Sequence, residues 1–109
     1  MPRPTAPTFP REEQQAKALG ERLKNARLRR HIPIGEMAAR VGVNRMTQRR
    51  LEQGDVSASL AVLLRTLSVL GLSRDIDQIA GEDDLGRRLA DMDLSERPRS
   101  RKQGSARGR

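Results

Sequence analysis

The chain has 109 residues, a formal net charge of +8 and 35% apolar residues, which fits one small domain with unstructured ends and a polyanionic partner. It has no cysteine, tryptophan or tyrosine, and only Phe9 and His31 stand in for aromatics and metal-binding imidazoles. This excludes disulfides, thiolate or histidine metal clusters, a stacking platform for single-stranded bases, and any evident nucleophile or acid–base pair, so neither an enzyme nor a cofactor is expected.

The segment "MPRPTAPTFP", residues 1–10, carries four prolines and is predicted to be a disordered arm. Helical character begins near Arg11, where Glu12 and Glu13 suit the positive end of a helix dipole. Leu19, Leu23 and Ala26 then recur at i, i+4, i+7, with Glu21, Arg22, Lys24 and Arg29 outward. Pro33 is read as the first position of a second helix, "IGEMAARV", in which Met37, Ala38 and Val41 share an apolar face and Gly42 makes the turn. Asn44 is a good N-cap for a third helix reaching Gln53, with Gly54 as its stop. Ser57 or Ser59 starts a fourth, whose Leu60, Leu63, Leu64, Leu67 and Leu70 are expected to form a broad buried stripe. A short fifth helix capped by Ser73 would turn Ile76 and Ile79 inward.

The expected organisation is therefore an all-α domain of four to five helices over residues 11–81. After Gly81 the charge changes sign. Residues 82–94 read as a short acidic amphipathic helix, with Leu85, Leu89 and Met92 at helical spacing as a docking strip for a partner or for the domain itself. Residues 95–109 carry many cations and no apolar pattern, and are predicted to be a disordered basic tail. No run is apolar enough for a signal peptide or a membrane span, so the expected location is the cytoplasm, with no membrane partner.

Two short helices joined by a glycine turn, the second capped and basic, make a helix-turn-helix pattern. Read from pattern alone, its arginines face either a DNA major groove or only water. From Leu19 to Leu72 the sequence resembles the Cro/lambda-repressor-like helix-turn-helix family, through "LGERLKNARLRR", "IGEMAARVGVNRMTQRRLEQGD" and "SLAVLLRTLSVLGL". Within it the chain is most similar to the HipB-like antitoxin branch, on "TQRRLEQGD", "VSASLAVLLRTLSVLGL" and the trailing "DDLGRRLADMDLSERPR".

The resemblance implies a lambda-repressor-like fold and a dimer on double-stranded DNA with a palindromic operator. Asn44 would cap the recognition helix and touch a phosphate, and Arg45 and Met46 would occupy the first base-reading turn. Arg49 or Arg50 would follow one turn later, and Gln53 would contact the backbone. Arg27 and Glu52 match a pair that forms an internal ion pair in the family. The branch further implies autoregulation as the antitoxin of a HipA-type kinase toxin in a bacterial cytoplasm.

The sequence departs from the family at three places. Pro33 and Ile34 replace a polar cap and a glutamine, which removes one phosphate-positioning hydrogen bond. Gln48 stands where an aliphatic residue is usual, and is expected to lay its stem on the core while its amide reaches water. Met46 offers a thymine methyl an apolar contact but no bidentate pair. Two rival functions share this sequence: a standalone phage-type or metabolic repressor, and a protein-binding inhibitor that has lost specific DNA reading.

Overall fold

Prolines punctuate the first two helices. The computed structural model describes residues 7–96, and side chains through Leu94. Within them Pro10 opens α1 (Pro10–Arg29), where its missing N–H costs no helical bond, and the backbone amide of Phe9 donates to the Glu12 carboxylate. The arginine-rich end of α1 closes by bonding its own carbonyls, Arg30 Nη1 donating to Ala26 O at 2.8 Å. Pro33 is the N-cap of α2 (Ile34–Val41) rather than its first helical residue, as its extended ψ of 153° requires.

Gly42, in the left-handed region at φ 94°, turns the chain within three residues into α3 (Arg45–Glu52). Asn44 caps α3 by accepting from the Thr47 amide at 2.8 Å, and Ser59 likewise caps α4 (Leu60–Leu70) through the Val62 amide. A single turn, α5 (Arg74–Asp77), follows. Among the described residues there are six helices and no strand, and none is long and apolar enough to cross a membrane.

The chain divides into two compact units, the first ending at Asp77 and the second beginning at Gln78. The first holds the core: Leu23 and Ala26 of α1, Ile32, Met37 and Val41 of α2, Leu51 of α3, and Val62, Leu67 and Leu70 of α4. Met37 is fully buried at its centre. Each of the larger of these side chains, the leucines, valines, Ile32 and Met37, contributes about 1.5–3 kcal/mol by leaving water. The second unit contains α6 (Asp84–Glu96), whose first turn is closed by Asp83 accepting from the Gly86 amide. Leu85, Leu89 and Met92 lie exposed on it, and Arg87 pairs with Asp84 at 2.9 Å in an exposed contact of little energetic weight.

Three packing expectations are corrected. The stripe of α4 that meets the core is Val62, Thr66, Leu67 and Leu70, with Leu63 partly covered. Leu60 and Leu64 are 63% and 40% exposed, because α4 turns the Val62, Thr66, Leu67 and Leu70 side to the core instead. Ile79 is 68% exposed rather than inward: α5 ends at Asp77, and the left-handed Ala80 (φ 61°) belongs to the following turn.

Gln48 does not reach water. It is fully enclosed between α3 and α4, its Nε2 donating to Thr66 Oγ1 at 3.0 Å while its Oε1 has no partner. Replacing both members by apolar residues of similar shape, Gln48→Leu with Thr66→Val, should leave stability unchanged or higher in urea unfolding. Gln48→Ala should lower it by about 2 kcal/mol or more, through a cavity and an abandoned hydroxyl. A double variant less stable than Gln48→Ala would contradict this account.

Candidate nucleic-acid interface

α3 is short, and each of its residues has one of two tasks. At 100° per residue, Gln48, Leu51 and Glu52 fall on the arc that meets the core, and all are buried. Met46, Arg49, Arg50 and Gln53 fall on the remaining arc, and all are exposed; Arg45 lies close to Glu52 in angle but opens the helix and is exposed too. Of the sequence-predicted contact residues, Met46, Arg49, Arg50 and Gln53 thus share one exposed face, with Asn44 and Arg45 at its start. The residues are close enough along the helix to span the width of a major groove.

The only carboxylate of α3 is turned away from that face. Glu52 takes two parallel hydrogen bonds from Arg27 of α1, Nε to Oε2 at 2.7 Å and Nη2 to Oε1 at 2.9 Å. The third guanidinium nitrogen, Nη1, donates to Ile32 O at 2.9 Å, so the loop after α1 is held by the same group. Both side chains are more than nine-tenths buried. Arg27 is therefore occupied inside the domain, and the exposed cations of α3 are left without a neighbouring acid on their own helix.

α1 approaches α3 at backbone distance in two places. A Cβ on Gly20 would stand 2.8 Å from Leu51 O and from Glu52 C, and one on Gly54 would stand 2.5 Å from Lys17 Cα. Only glycine permits either approach, and Gly54 also holds φ at 81°. Beyond Gly54, Asp55 accepts from the amide and hydroxyl of Ser57, at 2.9 and 2.6 Å. Those bonds from Ser57, aided by the nearby Arg50 charge, hold the Asp55 carboxyl below its ordinary value.

Between α1 and α3 runs an open groove of about 530 Å³. Lys17, Glu21 and Lys24 line it from α1, Ile34 from the start of α2, and Arg49 and Gln53 from α3. Lys17 and Lys24 are cations that the sequence reading left out of the interface. The signal was present: 17, 21 and 24 share a stripe next to Gly20 and Arg27, the positions where α1 meets α3. At the other edge of α3, the Arg45 guanidinium lies over Gly35, where a Cβ would come within 2.8 Å of Nε and Nη2. Its charge therefore sits beside the first turn of α2, whose Pro33 cap has no side-chain acceptor for the amides there.

Among the candidate contact residues, Asn44 also has a structural duty as the cap of α3. Asn44→Ala should cost about 1 kcal/mol in thermal or urea unfolding, through loss of its bond to the Thr47 amide. An unchanged midpoint would mean that α3 does not depend on its cap.

Comparison with known proteins bears on the same segment. The profile of a helix-turn-helix domain family matches residues 18–78, more than half of the chain. No curated protein and no solved structure matches it significantly. The matched region spans the buried core, the α2–turn–α3 unit and all of the groove lining but Lys17, and the chain belongs to this helix-turn-helix domain family, with the DNA-binding architecture that the name denotes.

Proposed function

We propose that the protein is a sequence-specific transcriptional repressor that lays α3 in the major groove of double-stranded DNA and binds a palindromic operator as a homodimer. The observation that carries this reading is the division of α3: its one acid is sealed inside on Arg27, and Arg45, Arg49 and Arg50 are exposed. In this reading Arg49 or Arg50 gives a guanine edge two parallel hydrogen bonds, while Met46 touches a thymine methyl. Asn44, Gln53, Lys17 and Lys24 position the backbone, and Arg45, drawn onto Gly35, serves the flanking phosphate as well as the first base step.

The test is a fluorescence-anisotropy titration against the duplex upstream of the protein's own gene, with a shuffled duplex beside it, at two salt concentrations. Tight binding to the first and weak, salt-labile binding to the second is the expected result. Equal, weak binding to both would reduce the arginines to generic charge and favour the inhibitor reading, in which the fold meets a protein instead of DNA.

The resemblance to HipB-like antitoxins supports a second layer, in which the repressor also restrains a HipA-type kinase toxin and represses their shared operon. Leu85, Leu89 and Met92 on α6 offer an apolar strip for such a partner. A neighbouring kinase-like reading frame whose product co-purifies with the chain is the expected finding. Operator binding without any such neighbour would favour a standalone repressor.

A further inference from the structure

Five glycines lie in the first unit, and four have a backbone reason to be there. Gly42, Gly54 and Gly71 hold positive φ, and Gly20 meets the backbone of Leu51 and Glu52 too closely for a Cβ. Gly35, in the first turn of α2, has neither reason. Its φ is not positive, and the three nearest atoms that a Cβ would meet all belong to the Arg45 guanidinium. Nε and Nη2 would stand at 2.8 Å and Cζ at 3.1 Å. Glycine weakens a helix relative to alanine, so α2 gives up stability here for the space that a side chain would fill.

We infer that Gly35 is a positioning residue for Arg45: its missing side chain leaves a seat on α2 that fixes the first cation of α3 in one pose. The seat holds the guanidinium by contact. Glu36, the acid of that turn, is engaged by Arg40, and among the described residues the Arg45 side chain has no ion pair or hydrogen bond. All its donors therefore stay available to a ligand. At the same time the rotamer freedom that a surface arginine loses on binding is already reduced, which strengthens binding without adding a contact. That use of the pose rests on the DNA reading above; the pose itself does not.

The test uses the full chain. Nuclear magnetic resonance of the isotope-labelled protein follows the arginine Nε–H groups, with the Arg45 signal assigned by its loss in Arg45→Lys. It should be restricted in motion in the wild type and mobile in Gly35→Ala, whose unfolding midpoint should be unchanged or raised. On a duplex selected from a random pool, Gly35→Ala should weaken binding about three- to tenfold, as the preorganised pose is lost. In an Arg45→Ala background the same substitution should change binding by no more than about twofold. A glycine needed only for packing would instead lower the midpoint and act alike with or without Arg45.

An Arg45 signal equally mobile in both proteins, undiminished binding by Gly35→Ala, or a loss that persists without Arg45 would each overturn the inference. A mobile Arg45 in a wild type that selects its duplex would break the inference and spare the DNA reading. A seated Arg45, released by Gly35→Ala, in a protein without sequence preference would do the reverse.

Discussion

Arg27→Ala should bring the first unit close to the limit of folding. The substitution removes both bonds to Glu52 and the bond to Ile32 O, and leaves a carboxylate in a site more than nine-tenths closed to water. Breaking one side of a buried pair costs about 3–5 kcal/mol, a large share of the roughly 5–15 kcal/mol that holds a domain together. At about 4–8 °C per kcal/mol, the unfolding midpoint should fall by at least ~12 °C. Arg27→Met with Glu52→Leu should recover most of that loss, since no charge is then left alone. Calorimetry of the three proteins decides the matter. A single variant within about 1 kcal/mol of wild type would show that water reaches Glu52 and that the pair is not what fixes α1 on α3.

The second large effect is expected in DNA binding, and it separates two kinds of cation. Arg49 stands on the exposed arc of α3 and at the edge of the groove, whereas Lys24 faces the same groove from α1. Arg49→Ala should cost about 1–3 kcal/mol on a duplex selected from a random pool and much less on a shuffled one, so that sequence preference collapses. Lys24→Ala should weaken both duplexes alike and reduce the salt dependence by about one counterion. If Arg49→Ala also weakened both duplexes equally, Arg49 would be a backbone contact, and base reading would pass to Arg50 and Met46.

What the sequence made legible was mostly local. Asn44 and the glycines after α2, α3 and α4 announce their helix ends, since a cap or a left-handed residue is required within one turn of the place where it is written. The ion pair of Arg27 and Glu52 is different. Twenty-five residues separate its partners, and in the sequence only family resemblance joins them. Periodicity showed that α4 has a buried stripe, but not which one, because Leu60, Val62 and Leu64 are equally plausible until α2 and α3 are placed beside it. The burial of Gln48 is hidden in the sequence for a related reason. Its polarity argues for water, yet its position, three residues before Leu51, commits it to the core, and Thr66 becomes visible as its partner only once α4 is in place. Lys17 and Lys24 were readable as an outward stripe, but their function depends on the close approach that Gly20 and Gly54 allow.

That close approach has a consequence for how such a protein changes over generations. The residues that lock α3 in place, Gln48, Leu51 and Glu52, are buried and alternate along the helix with Arg45, Met46, Arg49 and Arg50, which are exposed. Exchanging an exposed residue leaves the lock untouched, so such substitutions should typically fall within about 0.5 kcal/mol in stability. Under the function proposed above, mutational drift on one side of a single short helix would retune which sequence is recognised, while the other side keeps every intermediate folded.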